Sequence, residues 1–331
     1  MSSAAIDVVG IGNAIVDVIA RADERFIAEQ GLAPGAMTLI DFERAESLYR
    51  AMGPAIESSG GSAGNTMAGI ASLGGTGGYI GKVREDLLGA VFRHDLTAIG
   101  VRFETPAATG GPGTARCLIL VTPDRQRTMA TYLGACVELG PEDLDPTLIA
   151  AARITYLEGY LFDPPRAQEA FRAAAAIAHR AGHQVALSLS DPFCVGRHRA
   201  AFRELVAGEV DILFANEAEI CSLYETDDFA AAAAAVRGQV AVAALTRSAA
   251  GSVVLAKSEE YRVAAVPVAR VVDTTGAGDL YAAGFLYGLT QGLSPPKCGA
   301  IGSLCAAEII SHVGARPETA LSGLAKAAGL L

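Results

Sequence analysis

A chain of 331 residues, 51% hydrophobic and 19% charged, can bury a sizeable core and is not a disordered polymer. Its formal net charge of -10 argues against a surface built for DNA, RNA or an anionic membrane, although oriented backbone N–H groups can still bind a phosphate locally. The six cysteines form no Cys-x-x-Cys pair, no basic-then-apolar leader opens the chain, and no apolar run approaches the ~18 residues of a membrane span, so free thiols and a soluble, cytoplasmic protein are expected.

In chain order, Ile6–Ile11 reads as a buried strand ending at Gly12, and apolar alternation resumes from Ile15 to Ile19. A polar helix over Asp23–Gln30 and a strand over Ala36–Ile40 follow. Gly60–Gly64 reads as a loop opening a helix that runs from Asn65 to about Leu73; Gly77–Gly81 is a strand and Leu87–Ile99 an amphipathic helix. Thr114–Thr122 and Arg127–Tyr132 form a predicted hairpin around the polar turn Pro123–Gln126.

Beyond residue 150 the rhythm is regular. Strands at Ile154–Leu157, Val185–Leu189 and Ile212–Phe214 alternate with helices at Pro165–Ala181, Arg199–Val206 and Glu217–Leu223. A helix at Ala230–Ala235 and strands at Val240–Thr246 and Ser252–Leu255 come next. Such alternation implies an α/β fold: a central, mostly parallel sheet flanked by helices. The segments about 14–42 and 103–132 break the rhythm and are expected to form a small β-rich lid over one end of it, within a single domain spanning 1–331. Cys298 and Cys305, seven apart, share one face of a helix.

The chemistry concentrates in Asp273-Thr-Thr-Gly-Ala-Gly-Asp279, ahead of an apolar helix over Leu280–Leu289. Gly276 and Gly278 let the backbone turn tightly against a ligand, and the helix start presents free N–H groups suited to an anion. A carboxylate at Asp279 would repel phosphate, a conflict that becomes useful if it accepts a proton from an attacking hydroxyl. The alternative is a tight loop with Asp279 satisfying the amides of a helix end.

This segment resembles the C-terminal signature of the ribokinase (PfkB) family of carbohydrate and nucleoside kinases. Gly60-Gly-Ser-Ala-Gly-Asn65 is similar to the family's first signature and Asn216-Glu-Ala-Glu219 to its Asn-x-x-Glu motif, in the family's order and spacing. Gly10-Ile-Gly-Asn13-Ala-Ile-Val-Asp17, Ser188-Leu-Ser-Asp-Pro-Phe193 and the position of Arg127 resemble the adenosine-kinase-like branch.

The resemblance implies a ribokinase-like fold and transfer of the γ-phosphate of ATP to a primary hydroxyl of an adenosine-like purine nucleoside. On it, Asp279 is the base, and Gly276, Ala277, Gly278 and Arg127 stabilise the transferring phosphate. Asn13, Asp17, Gly61 and Asn65 hold acceptor hydroxyls; Asn216, Thr246 and Gly251 line the ATP site. Glu219 and Asn216 organise Mg2+ through water. A monovalent cation is a further candidate cofactor, and both a monomer and a homodimer are open. Arg127 also reads as a solvated hairpin arginine, Asn65 as a helix cap and Glu219 as an exposed helix residue.

Met67, Arg84, Ser248 and Ser303 depart from the family's usual small residue, two glycines and adenine-side histidine. Gly10-x-Gly12 lacks the third glycine of a dinucleotide fingerprint, and His179, His183, His198 and Glu169 lack metal-ligand spacing. Two other functions stay open: a kinase of a free sugar or sugar acid such as ribose, fructose or 2-keto-3-deoxygluconate, and a catalytically silent nucleoside or sugar sensor.

Overall fold

The computed structural model describes residues 6–124 and 126–331. Met1–Ala5, read for a leader, and Arg125 of the expected hairpin turn lie outside the described residues. The chain runs β1 (Ile6–Ile11), β2 (Ile15–Arg21), α1 (Glu24–Glu29), β3 (Met37–Leu39), α2 (Phe42–Ala51), β4 (Ala55–Ser59), α3 (Ser62–Ser72), β5 (Gly77–Ile80), α4 (Leu87–Ala98), β6 (Ala115–Val121) and β7 (Arg127–Tyr132). It continues with α5 (Pro146–Ala151), β8 (Ala152–Glu158), α6 (Pro165–Arg180), β9 (Gln184–Ser188), α7 (Pro192–Gly208), β10 (Ile212–Asn216), α8 (Glu217–Tyr224) and α9 (Phe229–Val236). The final part holds β11 (Val242–Thr246), β12 (Ser252–Ala256), β13 (Glu259–Val263), α10 (Ala277–Thr290), α11 (Pro295–Ile309) and α12 (Leu321–Ala327).

Eight strands build the large sheet in the order β13-β12-β11-β10-β9-β8-β1-β5. Neighbours from β11 to β5 pair parallel, whereas β12 and β13 close one edge antiparallel. Alternate side chains feed two cores. Val8, Ile154, Tyr156, Ile212 and Phe214 pack with α3, α10 and α11; Val9, Ile11, Leu157, Val185, Leu187 and Leu213 pack with the helices from α5 to α9.

A second sheet, ordered β3-β7-β6-β2-β4, joins the first core through Val16, Val18, Leu118, Leu120 and Ala130. Its register pairs Val16 with Arg116 and with Ser59, and Arg127 with Val121. Strand β4 and helix α2, like β13, are not marked in the sequence pattern, because Glu57 and a largely polar 42–51 stretch mask their periodicity. No helix among the described residues is long and apolar enough to cross a membrane.

Helices α3 and α7 start earlier than predicted. Helix α3 begins at Ser62 rather than Asn65, because Gly61 (φ 77°) turns the chain out of β4 and the Glu158 carboxylate accepts the Ala63 amide at 2.7 Å. Helix α7 begins at Pro192, where Asp191 accepts the amides of Phe193 and Cys194, and a break at His198 (φ -120°) hides its first turns from a period-based reading.

Candidate active site

Asn13, Asn216 and Thr246 lie along the carboxyl-terminal edge of the large sheet, where open parallel sheets place their ligands, whereas Asp17 and Arg127 stand on strands of the second sheet. Asn13 follows β1, Glu158 ends β8 and pairs with Ser188 of β9, and Asn216 ends β10 opposite Thr246 of β11. At roughly 4.8 Å per strand, the edge from β1 to β11 spans about 19 Å, enough for an acceptor beside a nucleotide.

Asp279 lies in the first turn of α10, which starts at Ala277, so the predicted start at Leu280 is three residues late. Gly276 caps it in the left-handed region (φ 78°), and a Cβ there would meet that of Ala315 at 2.9 Å. The amide of Ala277 donates to the Thr274 carbonyl at 3.2 Å, whereas those of Gly276, Gly278 and Asp279 have no acceptor among the described residues. The carboxylate does not fold back onto this helix end. Ser62 donates its hydroxyl to Oδ1 at 2.6 Å, and Asn65 donates its amide to Oδ2 at 3.0 Å. Burial raises the Asp279 pKa, while these two hydrogen bonds and the Arg316 charge pull it back.

Asn65 is therefore not a helix cap. It is buried in α3, and its Oδ1 has no partner among the described residues. Asn13, 2% exposed, shows the same pattern: Nδ2 donates to Glu158 Oε1 at 2.9 Å while Oδ1 is unpaired among those residues. Asp17 stands on β2, and a Cβ on Gly60 would fall 2.5 Å from its carboxylate, which explains why the first residue of that glycine pair is small. Burial pushes Asp17 up to about 6, against the opposing charges of Arg127 and Arg316. Gly61 is equally constrained, since a Cβ would meet the Asn13 carbonyl oxygen at 2.3 Å.

Arg127 is not a solvated hairpin arginine. It is 9% exposed and donates through Nη1 to Asp273 Oδ2 at 2.6 Å; Nε and Nη2 have no partner among the described residues. Asp273 also accepts the amides of Thr275 and Gly314 at 3.0 Å each, so it braces the turn leading to Gly276.

Nor is Glu219 an exposed helix residue. It is 6% exposed and forms a reciprocal cap with Asn216: Oε1 accepts Asn216 Nδ2 at 2.6 Å, Oε2 accepts the Asn216 amide at 2.8 Å, and Asn216 Oδ1 accepts the Glu219 amide at 2.9 Å. Burial, with Asp191 and Asp279 adding repulsion, pushes Glu219 up to about 7. Among the described residues no cluster of three metal-ligating side chains exists, so none forms a direct protein cage there. The spare lone pairs of the Glu219 carboxylate suit an ion that keeps its water shell, which is the habit of Mg2+.

Thr246 and Gly251 flank the β11–β12 turn. Gly251 (φ 83°) is obligatory, since a Cβ would lie 2.1 Å from the Val263 carbonyl oxygen. Ser248 accepts a left-handed backbone (φ 49°), so the turn keeps a glycine-like shape without glycine. Met67 is fully buried and fits because Gly10 has no Cβ, whose nearest Met67 atom would be 3.2 Å away. Arg84 binds the Gly111 carbonyl at 2.6 Å, and Ser303 is buried in α11. His179 and His198 pair with Asp211 and Asp163.

Sequence reasoning missed Glu158, Ser62 and Arg316. Glu158 is 1% exposed, accepts Asn13 and Ala63, and is pushed up to about 7 by burial. A charge closing an apolar strand was its signal. Ser62 lay inside the Gly60–Asn65 segment, and nothing in the sequence marks Arg316.

A family model described as pfkB family carbohydrate kinase matches residues 36–320. A probable sugar kinase from Rhizobium etli CFN 42 is 52% identical with a TM-score of 0.92, covering 98% of this chain and 99% of that one. An adenosine kinase from Sinorhizobium meliloti is 54% identical with a TM-score of 0.91 over the same shares. The 5-dehydro-2-deoxygluconokinase of Geobacillus thermodenitrificans (strain NG80-2) is 28% identical over 263 residues, 76% of this chain and 78% of its own length.

Proposed function

The chain belongs to the pfkB family of carbohydrate kinases and is an ATP-dependent kinase acting on a hydroxyl group; from that premise we propose that its acceptor is a purine nucleoside of the adenosine type and that Asp279 is the general base. One observation carries the reading. A half-buried carboxylate is held at the start of α10 by two side chains from α3, beside an unpaired Asn65 Oδ1.

Asn13 and Asn65 would accept hydrogen bonds from acceptor hydroxyls through their unpaired carbonyl oxygens, with Asp17 taking another. Ser62 and Asn65 fix the Asp279 carboxylate, which takes the proton as the primary hydroxyl oxygen bonds the γ-phosphorus and the bond to the ADP oxygen breaks. The amides at Gly276, Gly278 and Asp279 and the free edge of Arg127 would stabilise charge on the phosphoryl oxygens. Ala277 contributes through the turn rather than by its own amide, which is engaged. Asn216, Thr246 and Gly251 line the donor side in this scheme. Glu219 and Asn216 would hold Mg2+ through water, and the ion would offset phosphate charge. The second sheet would act as the lid that excludes water from the γ-phosphate.

The 54% identity to an adenosine kinase favours a nucleoside, whereas the 52% identity to a probable sugar kinase favours the sugar reading. ADP release and thermal shift over adenosine, guanosine, inosine, cytidine, ribose, fructose and 2-keto-3-deoxygluconate decide between them. Turnover confined to the sugars or the sugar acid would replace the nucleoside proposal. Stabilisation by a ligand without turnover of any would make the chain a sensor.

A further inference from the structure

The sequence motifs account for two glycine turns in the site but not for what joins them. The segment Gly314-Ala315-Arg316, between α11 and α12, touches both. Gly314 donates its amide to Asp273, and Ala315 packs where a Cβ on Gly276 would stand. Arg316 reaches the other way. Its Nε and Nη2 donate to the Ser59 carbonyl at 3.0 and 2.8 Å, Nη2 also donates to Ser59 Oγ at 2.9 Å, and Nη1 donates to the Gly64 carbonyl at 2.6 Å. Ser59 ends β4, Gly64 lies in the first turn of α3, and Gly60–Gly61 connect them. The rigid fork of a guanidinium thus grips both sides of the crossing between the two sheets.

We propose that Arg316 is a positioning residue: by spanning Ser59 and Gly64 it sets the Gly60–Gly61 link, and through it the Ser62 and Asn65 side chains that hold Asp279. The catalytic half of this inference rests on Asp279 being the base. Asp17 on β2, Tyr79 on β5, Asp95 on α4 and Asp279 on α10 act on the charge of the guanidinium. Asp95 also accepts the Ser59 amide at 2.7 Å, so Ser59 is held from two directions. Burial lowers Arg316 to about 10, which leaves it charged at neutral pH, and its charge favours the carboxylate form of Asp279.

The test compares Arg316→Met and Arg316→Lys with the wild-type full chain. Hydrogen–deuterium exchange needs no acceptor. Amides from Ser59 to Asn65 should exchange faster in the Met variant while α6, on the opposite face of the large sheet, is unaffected. Unchanged exchange over Ser59–Asn65 overturns the brace. Kinetics then use ATP with adenosine, or with whichever panel member is turned over. Misplacement by about 1 Å costs on the order of 10²-fold, so kcat should fall by that order in the Met variant with the KM for ATP little changed.

The acid limb of the kcat/KM profile should also move to higher pH in the Met variant, since Asp279 loses a favourable cation. Lysine keeps the charge but cannot span both carbonyls, so it should restore the limb and only part of kcat. A lowered melting temperature with wild-type kcat per folded molecule and an unmoved limb would make Arg316 merely structural. If the Met variant does not fold, wild-type kcat in the Lys variant is enough to reject the proposal. Asp279→Asn is run alongside. Wild-type turnover there defeats the base assignment alone, while the exchange data still judge the brace.

Discussion

Asn65 donates its side-chain amide to Asp279 Oδ2 at 3.0 Å across 214 positions of sequence. This bond ties the start of α3, at the exit from the second sheet, to the start of α10 behind the other glycine turn. Each helix end alone is an ordinary anion-friendly terminus. Joined, they orient one carboxylate.

Asp279→Asn should lower kcat by ~10²–10⁴-fold, the usual worth of general-base help. Acceptor binding, read by thermal shift, should persist, because Asn13 and Asn65 keep the oxygens that have no partner among the described residues. The introduced amide can turn its oxygen to Asn65 Nδ2 and its nitrogen to the Ser62 hydroxyl, which accepts as readily as it donates, so stability should change little. Equal kcat in wild type and variant would falsify the base assignment.

Gly61→Ala should damage both folding and turnover. The residue has φ 77°, a strain of roughly 1–2 kcal/mol for a side chain, and its Cβ would meet backbone at 2.3 Å. Gly100→Ala is the control. It shares a positive φ of 85° but has nothing within 4 Å, so it should lose stability only and keep wild-type kcat. Similar kcat losses in both variants would show that the contact at Gly61 is unimportant.

Arg127→Met removes one partner of a pair whose side chains are only 7% and 5% exposed. Breaking such a pair costs about 3–5 kcal/mol because a buried charge is left behind. Pairing the change with Asp273→Asn should recover a good part of that loss in chemical denaturation. Strict additivity of the two single changes would contradict a coupled pair.

Glu158 predicts a pH dependence with a definite sign. Burial first of all pushes its pKa from 4.5 to about 7. The native state therefore favours the protonated form, and its contribution to stability is complete below about 4.5 and lost as pH rises to about 7. Each unit is worth roughly 1.4 kcal/mol as an upper bound. Glu158→Gln should be less stable overall, since an amide nitrogen would face the Asn13 or Ala63 N–H groups. It should nevertheless lose less stability than wild type between pH 5 and pH 7 in denaturant titrations. Parallel wild-type and variant curves would remove Glu158 from the account.

Much of the fold is legible in the sequence because the second half repeats one unit. The runs Ile154–Leu157, Val185–Leu189 and Ile212–Phe214 are short, apolar and separated by helices of regular period, and β8, β9 and β10 follow them closely. The same reasoning fails at β4 and β13. Each is an edge strand whose charged or exposed residues face water, so no alternation survives. Asp279, Asn65, Asn216 and Gly276 are readable because glycine turns and helix ends are local events.

By itself the sequence determined the alternating α/β architecture, the glycine turns at Gly61 and Gly276, and the carboxylate after the second of them, since each depends on neighbours a few residues apart. Only the tertiary structure decided that Ser62 and Asn65 hold that carboxylate, while Glu158 and Arg316 bind the chain around them. These contacts act across 95 to 257 positions, and hydrogen bonds of that range leave no period or spacing in the chain. Burial is decided at the same level. Glu219 and Arg127 can be read as surface charges in sequence, and only packing removes their water, shifts Glu219 upward and brings Arg127 into its pair with Asp273.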